Sequence, residues 1–267
     1  MPRSTESLAY APRPDPRASP VDLAVLVPSC DAYSDVWPSF FDTLFKRWSD
    51  CPFRVYLVSN FAEYRDPRVQ LLQVGEDRGW SANLKTALDA VPETYVLLTI
   101  DDLYPTARID TVGLVSLIEE IGDFDYLRLN PYPGPRKRLS RRVGLVPPGD
   151  VYRTSTVFSV WRREVLHDLL VEDESPWQFE LDGSKRSDRF DRWFASRRWL
   201  VPYLNLVVKR KIDPLALLRL RRSGVAVHSP RQLLTPSETL LLRLKGIRSR
   251  VFGALPWQLQ RRIRGNF

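Results

Sequence analysis

The sequence predicts an α/β protein, with a mixed, mainly parallel sheet flanked by helices and a basic helical extension at the C-terminus. Three observations lead there. Apolar runs of strand length alternate with apolar stripes at helical spacing as far as Asn130. The strand runs are continuous rather than alternating, as in sheets covered on both faces. One run, from Tyr95 to Ile100, leads straight into two adjacent carboxylates, Asp101 and Asp102. The carboxyl ends of strands are where open α/β sheets hold their ligands.

Residues 1–20 are rich in Pro, Ser and Arg, lack a periodic apolar pattern and read as a disordered leader. A core domain is expected over 21–232 and a basic amphipathic helical tail over 233–267. Val21 to Pro28 forms the first strand, and Ser29, Cys30 and Asp31 form a loop at its carboxyl end. Ser34 or Asp35 is placed to cap a helix with Pro38 in its first turn. That helix carries a core stripe of Trp37, Phe41, Leu44, Phe45 and Trp48. Phe53 to Asn60 and Val69 to Val74 are the next two strands. Gly75 to Asn83 is a loop with two glycines, and Ser81 is the expected cap of a helix carrying Leu84, Leu88 and Val91. Such a loop offers backbone N–H groups and the positive end of a helix dipole, which suit phosphate.

The strand bounded by Pro92 and Pro105 carries the paired acids. Like charges this close repel unless something positive lies beside them. A divalent cation with hard oxygen ligands, Mn²⁺ or Mg²⁺, holding a phosphate is one resolution. The other is that Asp101 caps the next helix and Asp102 is solvated. A helix with Ile109, Leu114, Leu117, Ile118 and Ile121 follows, then a strand from Phe124 to Asn130 that includes Arg128.

The second half is less regular. Prolines and basic residues over 131–150 predict a loop or mobile lid. Val151 to Val160 alternates as a strand, and Arg162 to Leu170 reads as a helix in which His167 is structural. Ser175, Pro176 and Gln178 match a capping box with a proline start, which puts Glu180 in a first helical turn beside Trp177 and Phe179. Trp199 to Val208 is a further strand, followed by the cluster Lys209, Arg210 and Lys211. Asp213 caps a helix that begins at Pro214 and ends near Gly224. The tail pairs leucines with Arg and Lys, so it either docks on a membrane surface or partner or packs on the core.

Composition narrows the function. In 267 residues the formal charge is +8, and the excess builds from Arg136 onward. A basic protein of this kind takes nucleic acid, anionic lipid or phosphorylated substrates as partners. No helix-turn-helix, zinc or aromatic-basic signature points to nucleic acid. Two cysteines, Cys30 and Cys51, do not make a disulfide scaffold. No apolar stretch is long enough to span a bilayer and no secretory signal is seen, so a cytoplasmic setting, free or on the inner membrane face, is expected.

Taken together, the Val27–Asp31 strand end, Gly79-Trp80-Ser81-Ala82-Asn83-Leu84, Leu97 to Tyr104, Leu127-Arg128-Leu129, Ser175 to Glu180 and Lys209 to Asp213 resemble a GT-A fold glycosyltransferase of the family 2 type. The resemblance covers about 21–220. It implies transfer of a hexose from a nucleotide-sugar, UDP-sugar favoured, to a saccharide or lipid-linked acceptor in surface polysaccharide synthesis, with inversion. It implies that Asp102, with Asp101 alongside, holds Mn²⁺ or Mg²⁺. Pro28, Ser29, Asp31 and Asn60 would line the nucleoside pocket, and Asp77, Trp80, Ser81 and Asn83 would face the ribose or sugar. Glu180 would be the catalytic base. Arg128, Lys209, Arg210 and Lys211 would contact the acceptor or diphosphate. The acids are adjacent rather than separated by one residue as is usual, so which one binds metal stays open, and the Glu-Asp pair common in the family is missing. A nucleotidyltransferase of similar fold is the nearest rival, although Pro-Ser-Cys-Asp replaces its usual basic glycine loop. A non-catalytic basic scaffold is another.

Overall fold

A computed structural model of the chain describes residues 21–150 and 152–254, with side chains in the last helix described through Gly246. The proposed leader and the end of the tail lie outside the described residues. A nine-stranded sheet runs in the order β3-β2-β1-β4-β9-β6-β10-β8-β7. Its strands are β1 (Leu23–Pro28), β2 (Arg54–Ser59), β3 (Val69–Gln73), β4 (Tyr95–Leu98), β6 (Tyr126–Arg128), β7 (Lys137–Arg138), β8 (Val143–Leu145), β9 (Ser159–Arg162) and β10 (Trp193–Ser196). The first four are parallel, with Val25 opposite Val55 and Leu97. β9 then runs antiparallel to both β4 and β6, and β10 is again parallel to β6.

The period-two alternation of the strands splits the core into two layers. Val25, Val27, Leu57, Leu97 and Val160 face α1 (Trp37–Arg47), α3 (Thr111–Ile121) and α7 (Pro214–Arg222). Ala24, Leu26, Val58, Leu98 and Trp161 face α2 (Trp80–Ala90) and α4 (Arg163–Leu169). Burying each large apolar side chain contributes about 1.5–3 kcal/mol, and these two layers hold most of them. In the second layer Tyr126, Trp161 and Trp193 pack ring on ring at 4.4–5.4 Å between centroids. Arg153 lies over the Trp193 ring at 4.6 Å, fully buried, with Nε donating to Val146 O at 3.2 Å and its other nitrogens to Ser187 and Phe190.

Several expectations need correcting. α1 follows Val36 without a side-chain cap, and Asp35 is instead engaged by Ser229 and Arg231. Gly79, not Ser81, precedes α2, and Ser81 lies inside its first turn donating to Glu174 O at 3.0 Å. Residues 131–150 are not simply a lid: β7 and β8 extend the sheet at its edge. Only the end of the run before Val160 becomes strand, since Tyr152 and Phe158 adopt left-handed backbone angles. The stretch from Trp199 splits into β11 (Tyr203–Asn205), paired with β5 (Leu103–Pro105), and β12 (Val207–Val208), paired with β13 (Lys211–Ile212). The large sheet instead takes β10, which the sequence did not reveal. The capping box at Ser175 and the Asp213 cap form as expected.

α5 (Pro176–Gln178) leads into a π-helical turn over Phe179–Gly183, then α6 (Ser184–Arg186). α8 (Pro236–Ala254) is tied to the core at its start, where Lys211 pairs with Glu238 at 2.7 Å and Arg243 with Asp213, and Leu240, Leu241 and Leu244 are exposed. Among the described residues no helix is long and apolar enough to cross a membrane.

Candidate functional site

The carboxyl ends of β1, β2 and β4 lie side by side, so the loops that follow them meet. β4 ends at Leu98, and Asp101 and Asp102 occupy the turn between it and β5. Asp101 is buried, at 2% exposure. Its Oδ2 accepts from Ser29 Oγ and, at 3.0 Å, from Trp37 Nε1, which also donates to Ser29 Oγ at 2.7 Å. Thus Trp37 belongs to the site as well as to the core. Burial pushes the Asp101 carboxyl up to about 7, and the charge of Asp102 adds to the effect. Asp102 is half-buried and burial likewise pushes it up to about 7. Among the described residues no side-chain donor reaches its carboxylate, while its carbonyl accepts from Leu206 N at 2.9 Å.

Asp31 and Asn60 are joined across the first two loops. Asn60 N and Phe61 N each donate to Asp31 at 2.9 Å, and Asn60 Nδ2 donates to Gly75 O at 2.9 Å. Burial works to raise the Asp31 carboxyl, but the N–H groups of Ala62, Phe61 and Asn60 outweigh it and hold the group below the usual carboxylate range. In the glycine loop Asp77 Oδ1 accepts from Gly79 N at 3.0 Å and from Asn83 Nδ2 at 2.8 Å. Gly79, at φ 89°, makes the turn into α2 that a side chain would strain. Trp80 packs on Phe179 at 5.6 Å between ring centroids, which joins this loop to the π-helical turn.

Glu180 sits in that turn, half-buried. π turns are uncommon and recur at functional sites. Its Oε1 accepts from Thr156 N at 2.8 Å and from the hydroxyls of Ser155 and Thr156 at 3.1 Å. One oxygen is therefore fixed by three donors. Tyr203, on β11, lies close enough to both acids to register them: burial raises its phenol, and the charges of Glu180 and Asp102 raise it further.

The basic candidates separate. Arg128 is buried beneath the surface, donating to Tyr152 O at 2.8 Å and to Pro133 O. Lys211 pairs with Glu238 at 2.7 Å. Lys209 and Arg210 are exposed at the tip of the β12–β13 hairpin, both with left-handed φ. A cation that the sequence did not reveal, Arg231, carries a charge that acts on both acids. It chelates Asp35 at 2.8–2.9 Å, stacks on Tyr33 at 4.3 Å and donates to Arg210 O at 3.5 Å. No local pattern marks it, because 196 residues separate it from Asp35. Ser155, Thr156 and Tyr203 were equally silent in sequence. His167 is remote from these residues and faces Asp89 at 3.2 Å.

No family model and no curated protein matches the sequence. Solved structures do match in shape. TarS 1–349 of S. aureus superposes with a TM-score of 0.50 at 16% identity, over 68% of this chain and 59% of that one. The mannosyltransferase PcManGT from Pyrobaculum calidifontis, solved with GDP-Man and Mn²⁺, gives 0.46 at 20% identity, over 79% and 63%. The chain thus spans about three-fifths of the TarS fragment, and at such identity the likeness speaks to fold. The expected architecture is the observed one: this chain has the GT-A fold of glycosyltransferases.

Proposed function

We propose that the chain is an inverting glycosyltransferase that moves a sugar from a nucleotide-sugar, UDP-sugar favoured, to a saccharide or lipid-linked acceptor. One observation carries the proposal: in a GT-A fold, two adjacent acids in the turn after β4 and a tethered acid in a π turn are linked through Tyr203, since β11 pairs with β5 directly after Asp102 and Phe158, which ends the segment that holds Glu180, packs on the Tyr203 ring.

Asp102 and Asp101 fit a divalent cation. Two adjacent carboxyls that burial holds near pH 7 are poised to exchange protons for metal, and Asp102 has no competing side-chain donor among the described residues. No three His, Cys, Asp or Glu side chains gather there among the described residues, so Mn²⁺ or Mg²⁺ would draw further ligands from the donor diphosphate and water. The cation, when bound, supplies neutralisation of the leaving diphosphate. Asp101, tied to Ser29 and Trp37, orients the turn; Asp102 is the direct ligand in this reading. Pro28, Ser29, Asp31 and Asn60 form the nucleoside pocket, and the Asp77–Asn83 loop closes over the ribose or sugar. Glu180 takes the proton of the acceptor hydroxyl as that oxygen bonds to the anomeric carbon and the bond to the nucleoside diphosphate breaks. Fixing one oxygen through Ser155 and Thr156 leaves the other for the acceptor. Lys209 and Arg210, exposed at the tip of the β12–β13 hairpin, would meet the acceptor or the diphosphate.

The tail supports docking on an anionic membrane surface as part of surface polysaccharide synthesis. Residues 233–267 contain seven Lys or Arg against one acid, Glu238, and α8 exposes three leucines. The donor site is tested by thermal shift with nucleoside diphosphates in Mn²⁺ or EDTA. Ligand at a hundred times its Kd stabilises by about 2.7 kcal/mol. Asp102→Ala should abolish the metal-dependent shift. A full shift in that variant would remove the donor-site assignment, and nucleotide binding without any turnover would favour a scaffold.

A further inference from the structure

The loop between β10 and β11 carries Trp199, whose ring is 51% exposed. The loop itself is rigid. Ser196 Oγ donates to Arg198 O at 2.8 Å, Leu200 N donates to Leu129 O at 3.1 Å, and Pro202 O accepts from Thr106 N at 2.8 Å. Val201 is buried. The backbone on both sides of Trp199 is therefore pinned, while about half of the residue stays open to solvent. An aromatic ring half open to solvent on a pinned loop can meet a ligand without rearrangement.

Its neighbours connect it to the reaction site. The Trp199 ring lies 6.2 Å from that of Tyr203, tilted by 59°. Tyr203 in turn packs on Phe158 at 5.6 Å. Phe158 is buried with a left-handed φ of 42°, and it ends the segment whose Ser155 and Thr156 hold Glu180. Strained backbone of this kind persists where surrounding structure imposes it, and it clusters at ligand sites. On its other side, β11 pairs with β5, directly after Asp102. An aromatic step thus runs outward to solvent: Tyr203 lies between the segment that holds Glu180 and the strand that follows Asp102, with Trp199 beyond it.

We propose that Trp199 and Tyr203 form the acceptor subsite, a platform on which the apolar face of an acceptor sugar ring packs while its hydroxyl reaches Glu180. The inference rests on the glycosyltransferase reading above and adds the class of molecule that enters opposite the donor. A pyranose presents one face of C–H groups and an edge of hydroxyls. The face suits an indole, and the edge suits the carboxylate and phenol beside it. Tyr203, backed by Phe158 and β5, sets the floor; Trp199 selects for a ring that extends outward, so acceptors of more than one sugar gain most.

The test uses the full chain labelled with fluorotryptophan. Trp199→Phe assigns the Trp199 fluorine resonance, and β-linked disaccharides such as cellobiose and chitobiose are the probes. The Trp199 resonance should move on titration in the wild type. In transfer assays with aryl glycosides as acceptors, Trp199→Ala should raise the acceptor KM about tenfold, about 1.4 kcal/mol, with Trp199→Phe near wild type. The thermal shift given by nucleoside diphosphate should be unchanged in both variants. A resonance that stays fixed, or an acceptor KM that Trp199→Ala leaves unaltered, overturns the platform while the donor site stands. A resonance that moves only with lipid vesicles also overturns it. Absence of any nucleotide shift in the wild type strikes the parent reading instead, and the titration then still reports on sugar binding.

Discussion

Replacing Asp101 by Asn should stabilise the ligand-free protein above pH about 7, with a gain that shrinks as pH falls toward about 4. Burial lifts the folded-state Asp101 carboxyl to about 7, against an ordinary 3.8. The sign follows from that order. Below the unfolded value both states are protonated and the group costs nothing. As pH rises above it the unfolded chain ionises while the native chain still holds its proton, so stability falls until the folded carboxyl also ionises near 7. At about 1.36 kcal/mol per factor of ten in proton affinity, the gap from 3.8 to about 7 amounts to roughly 4 kcal/mol. Asn keeps an oxygen to accept from Trp37 Nε1, and the Ser29 hydroxyl can turn to donate to Cys30 O, now at 3.4 Å, and accept from the new amide. Some of the gain is lost in that rearrangement, leaving about 3 kcal/mol. For a domain of this size that raises Tm by roughly 6–12 °C. Thermal melts in EDTA at pH about 8 and about 5 give the comparison. A gain of equal size at both pH values, or a loss at the higher one, would refute the view that this carboxyl is held in an unfavourable buried site for the sake of a cation.

Other consequences follow from the same geometry. Glu180→Gln should cut transfer by about a hundred- to ten-thousandfold, measured as initial rate, with nucleotide binding intact. Gly183→Ala would bring a Cβ within 3.0 Å of the Phe179 ring, which is wedged between Trp80 and Trp161; a net loss of about 1 kcal/mol in urea melts and a reduced turnover are expected, since the π turn carrying Glu180 must shift. Arg153→Ala removes the donor to the carbonyls of Val146 and Phe190, leaves Ser187 O with Phe190 N alone and opens a void under Trp193; it should destabilise by about 3 kcal/mol or more by the same melts.

Much of this molecule could be read from the chain because its first half obeys simple rules. Strands covered on both faces demand continuous apolar runs, and β1, β2 and β4 are such runs. The capping box at Ser175 is a local device, so local sequence reveals it. The paired acids stood out because buried strands rarely lead into two carboxylates. What stayed hidden depends on contacts between distant segments. β10 is four residues long between Arg192 and Arg197, too short for its pattern to emerge. The stretch after Trp199 has one apolar pattern, yet it divides between two small sheets because Leu206 N bonds Asp102 O. Arg231 reaches Asp35 across almost the whole chain, and Glu180 finds Ser155 and Thr156 only after the π turn forms. Arg128 looked like an available cation, but its place on a central strand buries it.

The most direct measurement is release of nucleoside diphosphate from a panel of nucleotide-sugars, with saccharide acceptors and Mn²⁺ present, by the wild type and by Asp102→Ala. Release from one donor, dependent on the metal and lost in the variant, is the predicted result. Equal release by the variant, or none from any donor by a folded wild type, would contradict a metal-assisted glycosyl transfer at the end of β4.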